Sequence, residues 1–226
     1  HLASDGPRLI EINTNAGGGL PNAILGRAQR ACCAEVAEAM GSGQGGAMDL
    51  EARFVAMFRA EWAAERGDAP LRHVAIVDEA PQGQYLLPEF LLFQRLFEHH
   101  GIAASICDPA ELSHGPQGLS LQGRPVDLVY NRLTDFAFDA PASAALRDAW
   151  LAGSAVITPH PRAHALYADK RNLVLLSNPD ALRSLGADEA SVALIQAGVP
   201  RTEAVSRERA DDFWARRRGL FFKPAS

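Results

Sequence analysis

Glu11-Ile12-Asn13 is the segment of this 226-residue chain whose residue types and spacing are best suited to chemistry. With Arg8 to Thr14 read as a strand, the period of two puts Glu11, Asn13 and Asn15 on one face and Ile10, Ile12 and Thr14 on the other. A carboxylate and an amide oxygen projecting together suit a hard cation such as Mg2+, which takes one or two carboxylates and completes its shell with water and substrate phosphate. The run Ala16-Gly17-Gly18-Gly19 that follows would let phosphate or substrate come close to the backbone. The competing reading is an edge strand whose polar face simply meets water.

Lysine gives a second signal by its scarcity. Only Lys170 and Lys223 occur, against twenty arginines, so nearly every place that wants positive charge has been given a guanidinium. Arg is a rigid planar fork, whereas Lys is a point charge on a flexible stem that can slide between phosphate oxygens. Lys170 follows Asp169 beside a helical stretch. Lys223 closes the short apolar run Gly219-Leu220-Phe221-Phe222 and is followed by Pro224.

Other motifs carry less. Gly41-Ser42-Gly43-Gln44-Gly45-Gly46 is glycine-rich but follows a helix, where a dinucleotide turn must follow a strand, and reads as a linker. His160 and His164 are four apart, yet Pro159 and Pro161 interrupt the helix that would pair them on a metal, and they read as loop histidines. His99 and His100 suit a helix C-terminus. Neither a Gly-x-Ser-x-Gly elbow nor a Cys/His arrangement offers a nucleophile. Cys32, Cys33 and Cys107 lack metal spacing and read as small buried residues in a reducing compartment.

The elements that must position these groups follow from periodicity. After a turn at Asp5-Gly6-Pro7 and the Arg8–Thr14 strand, a helix is expected from Pro21 to Met40, with Ile24, Leu25, Ala28, Cys32 and Val36 on its apolar face. A second helix capped by Asp49 carries Phe54, Met57, Phe58 and Trp62. His73 to Asp78, Ile102 to Cys107, Asp127 to Asn131 and Ala155 to Thr158 read as strands. Helices are expected at Tyr85–His100 and Ala142–Ala152, with a small hairpin at Gly118–Arg124. Strand, helix, strand is a parallel crossover unit, so the middle of the chain is expected to be a Rossmann-like α/β layer. Arg132 would then lie at the carboxyl end of the third strand, where open α/β sheets place ligands, as a candidate for binding a substrate carboxylate. Its alternative is a surface pair with Asp135. Helices at Leu166–Leu176, Ala181–Leu185, Glu189–Ala197 and Arg207–Arg217, and strands after Thr202 and at Leu220–Lys223, complete the chain.

A composition of 47% apolar and 22% charged residues supports one large or two small domains with real cores. The formal net charge of -5 argues against nucleic acid or an anionic membrane as the main partner. Arg216-Arg217-Arg218 reads as the solvated end of a helix. The longest apolar stretch, Tyr85 to Phe97, is interrupted by polar residues and too short to span a bilayer, and a cytoplasmic location is expected. The chain opens on His1 and stops just after an expected strand, so it is expected to be a piece of a longer protein.

Taken together, Glu11-Ile12-Asn13-Thr14-Asn15-Ala16-Gly17-Gly18 resembles the Glu-x-Asn metal strand of ATP-grasp enzymes. Asp169-Lys170, Ala197-Gly198-Val199-Pro200-Arg201-Thr202 and Phe221-Phe222-Lys223-Pro224 resemble the stretch that enters their nucleotide lobe. The Glu-x-Asn strand lies upstream of both lysines, an order that resembles the circularly permuted ATP-grasp group typified by the glutathionylspermidine synthase family. The resemblance covers about half of the chain. It implies a Rossmann-like layer, residues 71–165, set between a metal-strand and helical region, 1–70, and the start of a nucleotide lobe, 166–226. It further implies that Glu11 and Asn13 hold Mg2+ on ATP, that Lys170 and Lys223 contact phosphates or the adenine edge, and that Ser226 begins a phosphate-covering loop. The implied activity is ATP-dependent ligation of a small-molecule carboxylate to an amine through an acylphosphate. An adenine hinge, a glycine-rich segment after Ser226 and an Asp shortly before His1 are expected beyond the chain, which alone would be inactive. The alternatives are a non-catalytic ligand-binding or partner-docking α/β protein and a Rossmann-type dehydrogenase or methyltransferase. For the latter, Glu79-Ala80-Pro81-Gln82-Gly83 lacks the glycine fingerprint.

Overall fold

The computed structural model describes residues 1–4, 6–15, 17–39 and 50–225, with the side chains of residues 36, 37 and 39 excepted. The expectations placed on Asp5, Ala16, Val36, the Gly41–Gly46 linker, the Asp49 cap and Ser226 lie outside the described residues. The chain is mixed α/β and divides into two compact units, residues 15–161 and residues 1–14 with 162–226.

In chain order, β1 (Leu2–Ala3) pairs with β2 (Gly6–Pro7) antiparallel. Helices α1 (Gly19–Cys32), α2 (Ala34–Ala39) and α3 (Leu50–Arg66) follow. The single helix expected over 21–40 breaks where Cys33 takes an extended conformation, φ -151 and ψ 139. Cys32 there is exposed, and of the three cysteines only Cys107 is buried. On α3 the buried face is Val55, Phe58 and Trp62, with Phe54 partly buried, while Met57 points to solvent.

The larger unit is built on β3 (His73–Val77), β4 (Ala103–Cys107), β8 (Leu128–Asn131) and β9 (Val156–Thr158), a parallel sheet in the order β4-β3-β8-β9. Between them run α4 (Leu87–His99), the antiparallel strands β5 (Leu112–Gly115), β6 (Gly118–Leu121) and β7 (Arg124–Pro125), and α5 (Ala144–Ala152). Every residue of β3 and β8 is buried, as a strand covered on both faces requires, and this explains why both read as near-continuous apolar runs. Val74, Ile76, Leu128 and Tyr130 pack on one face with Phe58, Phe90, Phe93 and Phe97 from α3 and α4. Ala75, Val77, Val129 and Ile157 pack on the other with Leu146 and Ala149 of α5 and Leu119 and Leu121 of β6. Phe58 meets Phe97 and Tyr130 edge to face at centroid separations of 5.0 and 4.9 Å, the geometry aromatic quadrupoles prefer.

The expected hairpin at Gly118–Arg124 forms, with Gln122 (φ 51) and Gly123 (φ 78) supplying the two left-handed residues of a tight turn. It gains an unforeseen third strand, β5, which reaches β6 through the two residues 116 and 117.

In the smaller unit, α6 (Pro161–Tyr167, its first residue in the larger unit), α7 (Asn172–Leu176), α8 (Pro179–Ser184), α9 (Glu189–Gly198) and α10 (Ala210–Ala215) follow one another. The helix expected over 166–176 is split because the Asp169 carboxylate accepts the Arg171 amide at 2.8 Å and starts a new helix there. The strands expected at Arg8–Thr14, after Thr202 and at Leu220–Lys223 do not form ladders. Residues 9, 10, 12 and 13 are all exposed, so no buried face fixes a register. Isolated bonds hold these stretches instead: Leu9 N to Gly198 O at 2.8 Å, Thr202 N to Ser177 Oγ at 3.1 Å and Lys170 N to Ala225 O at 3.0 Å. No helix among the described residues is long and apolar enough to cross a membrane.

At the amino end of β3, buried His73 sits with Nδ1 2.7 Å from Pro125 O and Nε2 3.0 Å from Ser105 Oγ. Burial, together with the Arg124 charge, holds its pKa below the ordinary 6.5, against the opposing pull of Pro125 and Asp127. The unfolded chain therefore binds the proton first, and the stability contributed by neutral His73 is complete above pH 6.5 and is lost as pH falls through and below that value. Urea midpoints taken from about pH 8 to about pH 5 are expected to fall across this window, and less steeply in His73→Gln.

Candidate functional site

Glu11 and Lys223, from opposite ends of the sequence, meet in the smaller unit. Lys223 Nζ lies 2.6 Å from Glu11 Oε2 and also donates to Ile10 O at 3.5 Å. Two chain segments bring them together. The stretch after β2 runs extended past the end of α9, where Gly198 O accepts from Leu9, and the C-terminal stretch is tied by Ala225 O to the amide of Lys170. Lys170 is thereby drawn to the same place, and its charge acts on Glu11. Asn13 Nδ2 donates to Glu11 Oε1 at 3.5 Å, as expected of residues two apart on an extended chain.

Four groups proposed from the sequence, Glu11, Asn13, Lys170 and Lys223, thus share one compact unit. The hydrogen bond and charge of Lys223, then the Asn13 amide and the Lys170 charge, hold the Glu11 carboxyl below its usual range. The Lys170 charge acts on Asp169 as well, whose carboxylate is held chiefly by the neighbouring Arg171 and depressed to about 2. His164 joins this unit through Nδ1, 2.9 Å from Thr14 Oγ1, and burial followed by the Lys170 charge lowers its pKa. Nothing in its sequence spacing signalled that role. His160, its expected companion, belongs to the larger unit, where Trp150 Nε1 donates to it at 3.1 Å.

The donor chemistry at Glu11 fits one kind of metal. One carboxylate with an adjacent amide matches a Mg2+ that arrives carrying most of its shell. No group of three or more His, Cys, Asp or Glu residues that could cage a metal unaided occurs among the described residues. Side chains 35% and 27% exposed, for Glu11 and Lys223, leave the pair open to a ligand from solvent.

Arg132 lies in the larger unit, at the carboxyl end of β8. There it is buried, donates through Nη1 to Asn15 Oδ1 and stacks 5.3 Å over the Tyr130 ring. Asn15 in turn donates to Leu133 O at 3.2 Å and belongs to the larger unit. Asp135 is not the partner of Arg132: its carboxylate accepts the amides of Asp139 and Ala140 at 2.9 and 3.0 Å. The end of β3 beside this strand contributes Asp78, whose pKa burial raises against the pull of the Glu79 amide and the Arg132 charge.

The glycine run behaves differently from its expectation of leaving room for phosphate. Gly18 (φ +84) caps α1, and its amide donates to both oxygens of buried Glu89 at 2.9 Å each. A side-chain anion already occupies the amino end of this helix, where the macrodipole favours negative charge. A Cβ on Gly17 would stand 3.0 Å from Arg132 Nη2 and 3.4 Å from Glu89 Oε2, so its smallness admits the protein's own charged side chains.

These two settings make opposite predictions. Glu89→Ala removes a buried anion from two short contacts and is expected to lower stability by about 1.5–3 kcal/mol, read from denaturant unfolding. Lys223→Met breaks an ion pair open to solvent and is expected to leave the unfolding midpoint in place. A large loss for Lys223→Met would make that pair structural. No protein-family model matches the chain, and no curated protein matches it either.

Proposed function

We propose that the chain is part of an ATP-dependent carboxylate-amine ligase of the permuted ATP-grasp kind, with the smaller unit carrying triphosphate-handling residues and the larger unit a Rossmann-like layer. The observation that carries this reading is the meeting of Glu11 and Lys223 at 2.6 Å, with Asn13 and the charge of Lys170 beside them. Ordinary pairing does not account for the choice of residue. The other ion pairs described here, from Arg27–Glu51 to Arg216–Asp212, all use arginine. A chain that builds its ion pairs from guanidinium has placed an ammonium here, the group that can leave a carboxylate and follow a moving phosphate.

In this reading Glu11 and Asn13 hold Mg2+ on the nucleotide, and Lys170 and Lys223 lie along the phosphates. The ion supplies charge neutralisation of the phosphoryl oxygens as the bond to the leaving diphosphate weakens. The lysines add fixed positive charge where negative charge develops, and no side chain needs to become covalently attached. The substrate carboxylate attacks the γ-phosphorus, releasing ADP and forming an acylphosphate, and an amine then displaces phosphate to leave an amide. Arg132 donates through Nη1 to Asn15 and lies over the Tyr130 ring, so in this scheme it steadies Asn15, and a substrate carboxylate taking Nη1 would displace the Asn15 side chain. A cytoplasmic location accords with an activity that consumes ATP.

Full-length protein is expected to be stabilised against heat by Mg-ATP. It should also form ADP and a hydroxamate when a panel of small carboxylic acids is supplied with hydroxylamine as the amine. Glu11→Gln and Lys223→Met are each expected to lower ADP formation by about 10²–10³-fold. Near-normal turnover in either variant would remove the assignment. Absence of Mg-ATP stabilisation would favour a docking module.

A further inference from the structure

We infer that Lys223 is an exchangeable counterion that makes the Glu11 site take up metal and triphosphate together and reject each alone. The inference rests on the proposed ATP-binding function and adds a rule for which species the site selects. Three observations support it. Glu11 Oε2, one of two carboxylate oxygens the site could offer a metal, is held by Lys223 Nζ at 2.6 Å. The other, Oε1, faces the Asn13 amide at 3.5 Å, and no further carboxylate, imidazole or thiolate completes a metal cage among the described residues. Among the described residues the ammonium is held by Glu11 and, at 3.5 Å, by one backbone oxygen, so it has little to lose by moving.

Charge decides what can enter. A divalent cation arriving alone must share Glu11 with an ammonium already on it, and the two cations repel with no anion between them. A triphosphate arriving alone can draw Lys223 away, but its own negative charge then faces a Glu11 carboxylate stripped of its partner. When both arrive, Lys223 would turn from carboxylate to phosphate and leave Glu11 Oε2 to hold the metal, so that every charge would have an opposite neighbour. Lys170, whose backbone is tied to Ala225, stays beside the phosphates throughout. The swap needs a flexible monovalent head group. The planar fork of arginine, held by two parallel bonds, would resist it.

The test uses full-length protein and Mn2+ as the probe, with free Mn2+ counted by electron paramagnetic resonance, in the presence and absence of a non-hydrolysable β,γ-imido analogue of ATP. Wild type is expected to bind Mn2+ weakly alone and about 5- to 150-fold more tightly with the analogue, and by linkage the analogue should gain the same factor from Mn2+. Lys223→Gln is expected to bind Mn2+ alone more tightly than wild type and to lose most of the gain from the analogue. Lys223→Arg, which keeps the charge and the ion pair, should stay weak toward Mn2+ alone and also lose most of the gain. Wild type binding Mn2+ alone as tightly as Lys223→Gln, while still binding the Mn2+–analogue pair, would overturn the inference and leave the ATP-binding function standing. Failure of wild type to bind the pair at all would overturn both.

Discussion

The contact on which the functional reading depends is the one between the Glu11 carboxylate and the Lys223 ammonium, joined across 212 residues of sequence. It is not what holds the unit together. An ion pair this open to solvent contributes little to stability, and closing so long a loop is left to other contacts. Those contacts are visible on either side: Leu9 on Gly198, and Lys170 on Ala225. The backbone does the joining, and the side chains, relieved of a structural duty, remain available for exchange with a ligand.

In the larger unit charge is used in the opposite way. Glu89 and Arg132 are buried, and each serves the segment that leads into α1: Glu89 takes the Gly18 amide with both oxygens, and Arg132 takes the Asn15 side chain. A carboxylate in that position neutralises the positive end of a fourteen-residue helix from within. Taking it away leaves the Gly18 amide without its buried acceptor, which is the costly kind of loss. Asp78 and Arg132 end the adjacent strands β3 and β8, where the strand order reverses and where open α/β sheets gather ligands. Here that position is filled by the protein's own ionic groups.

How much of this was legible from sequence follows the physics of each element. The strands β3 and β8 could be read because burial on both faces demands apolar runs, and α4 because Phe90, Phe93 and Phe97 repeat at helical spacing. The stretches Arg8–Thr14 and Leu220–Lys223 show the same local alternation and chemistry as strands, yet a strand is a ladder, and a ladder is a property of two segments. Nothing in the residues of one segment reports whether the other is there. The Glu89 clamp was illegible for a related reason. A glutamate in the first turn of a helix looks like a dipole partner for its own helix, whereas Glu89 serves α1, seventy-one residues upstream. Lys223 could be singled out because scarcity is a statistic of the whole chain and needs no geometry.

Composition bears on the site in one further way. Had evolution wanted a lasting bond at Glu11, the chain's own habit supplies the answer at Glu203, where the carboxylate is clasped by Arg209 and Arg216, with Arg201 at its side, and held at about 2. Each of those guanidiniums can bind through a fork, and two of them stack on Phe213 as well, so the cluster is over-determined and static. Glu11 has one ammonium, one distant amide and no aromatic platform among the groups described around it. The contrast between two carboxylates of the same unit separates a joint from a socket. A joint gains from every added contact. A socket must hold its charge in readiness with as few contacts as will keep it in place.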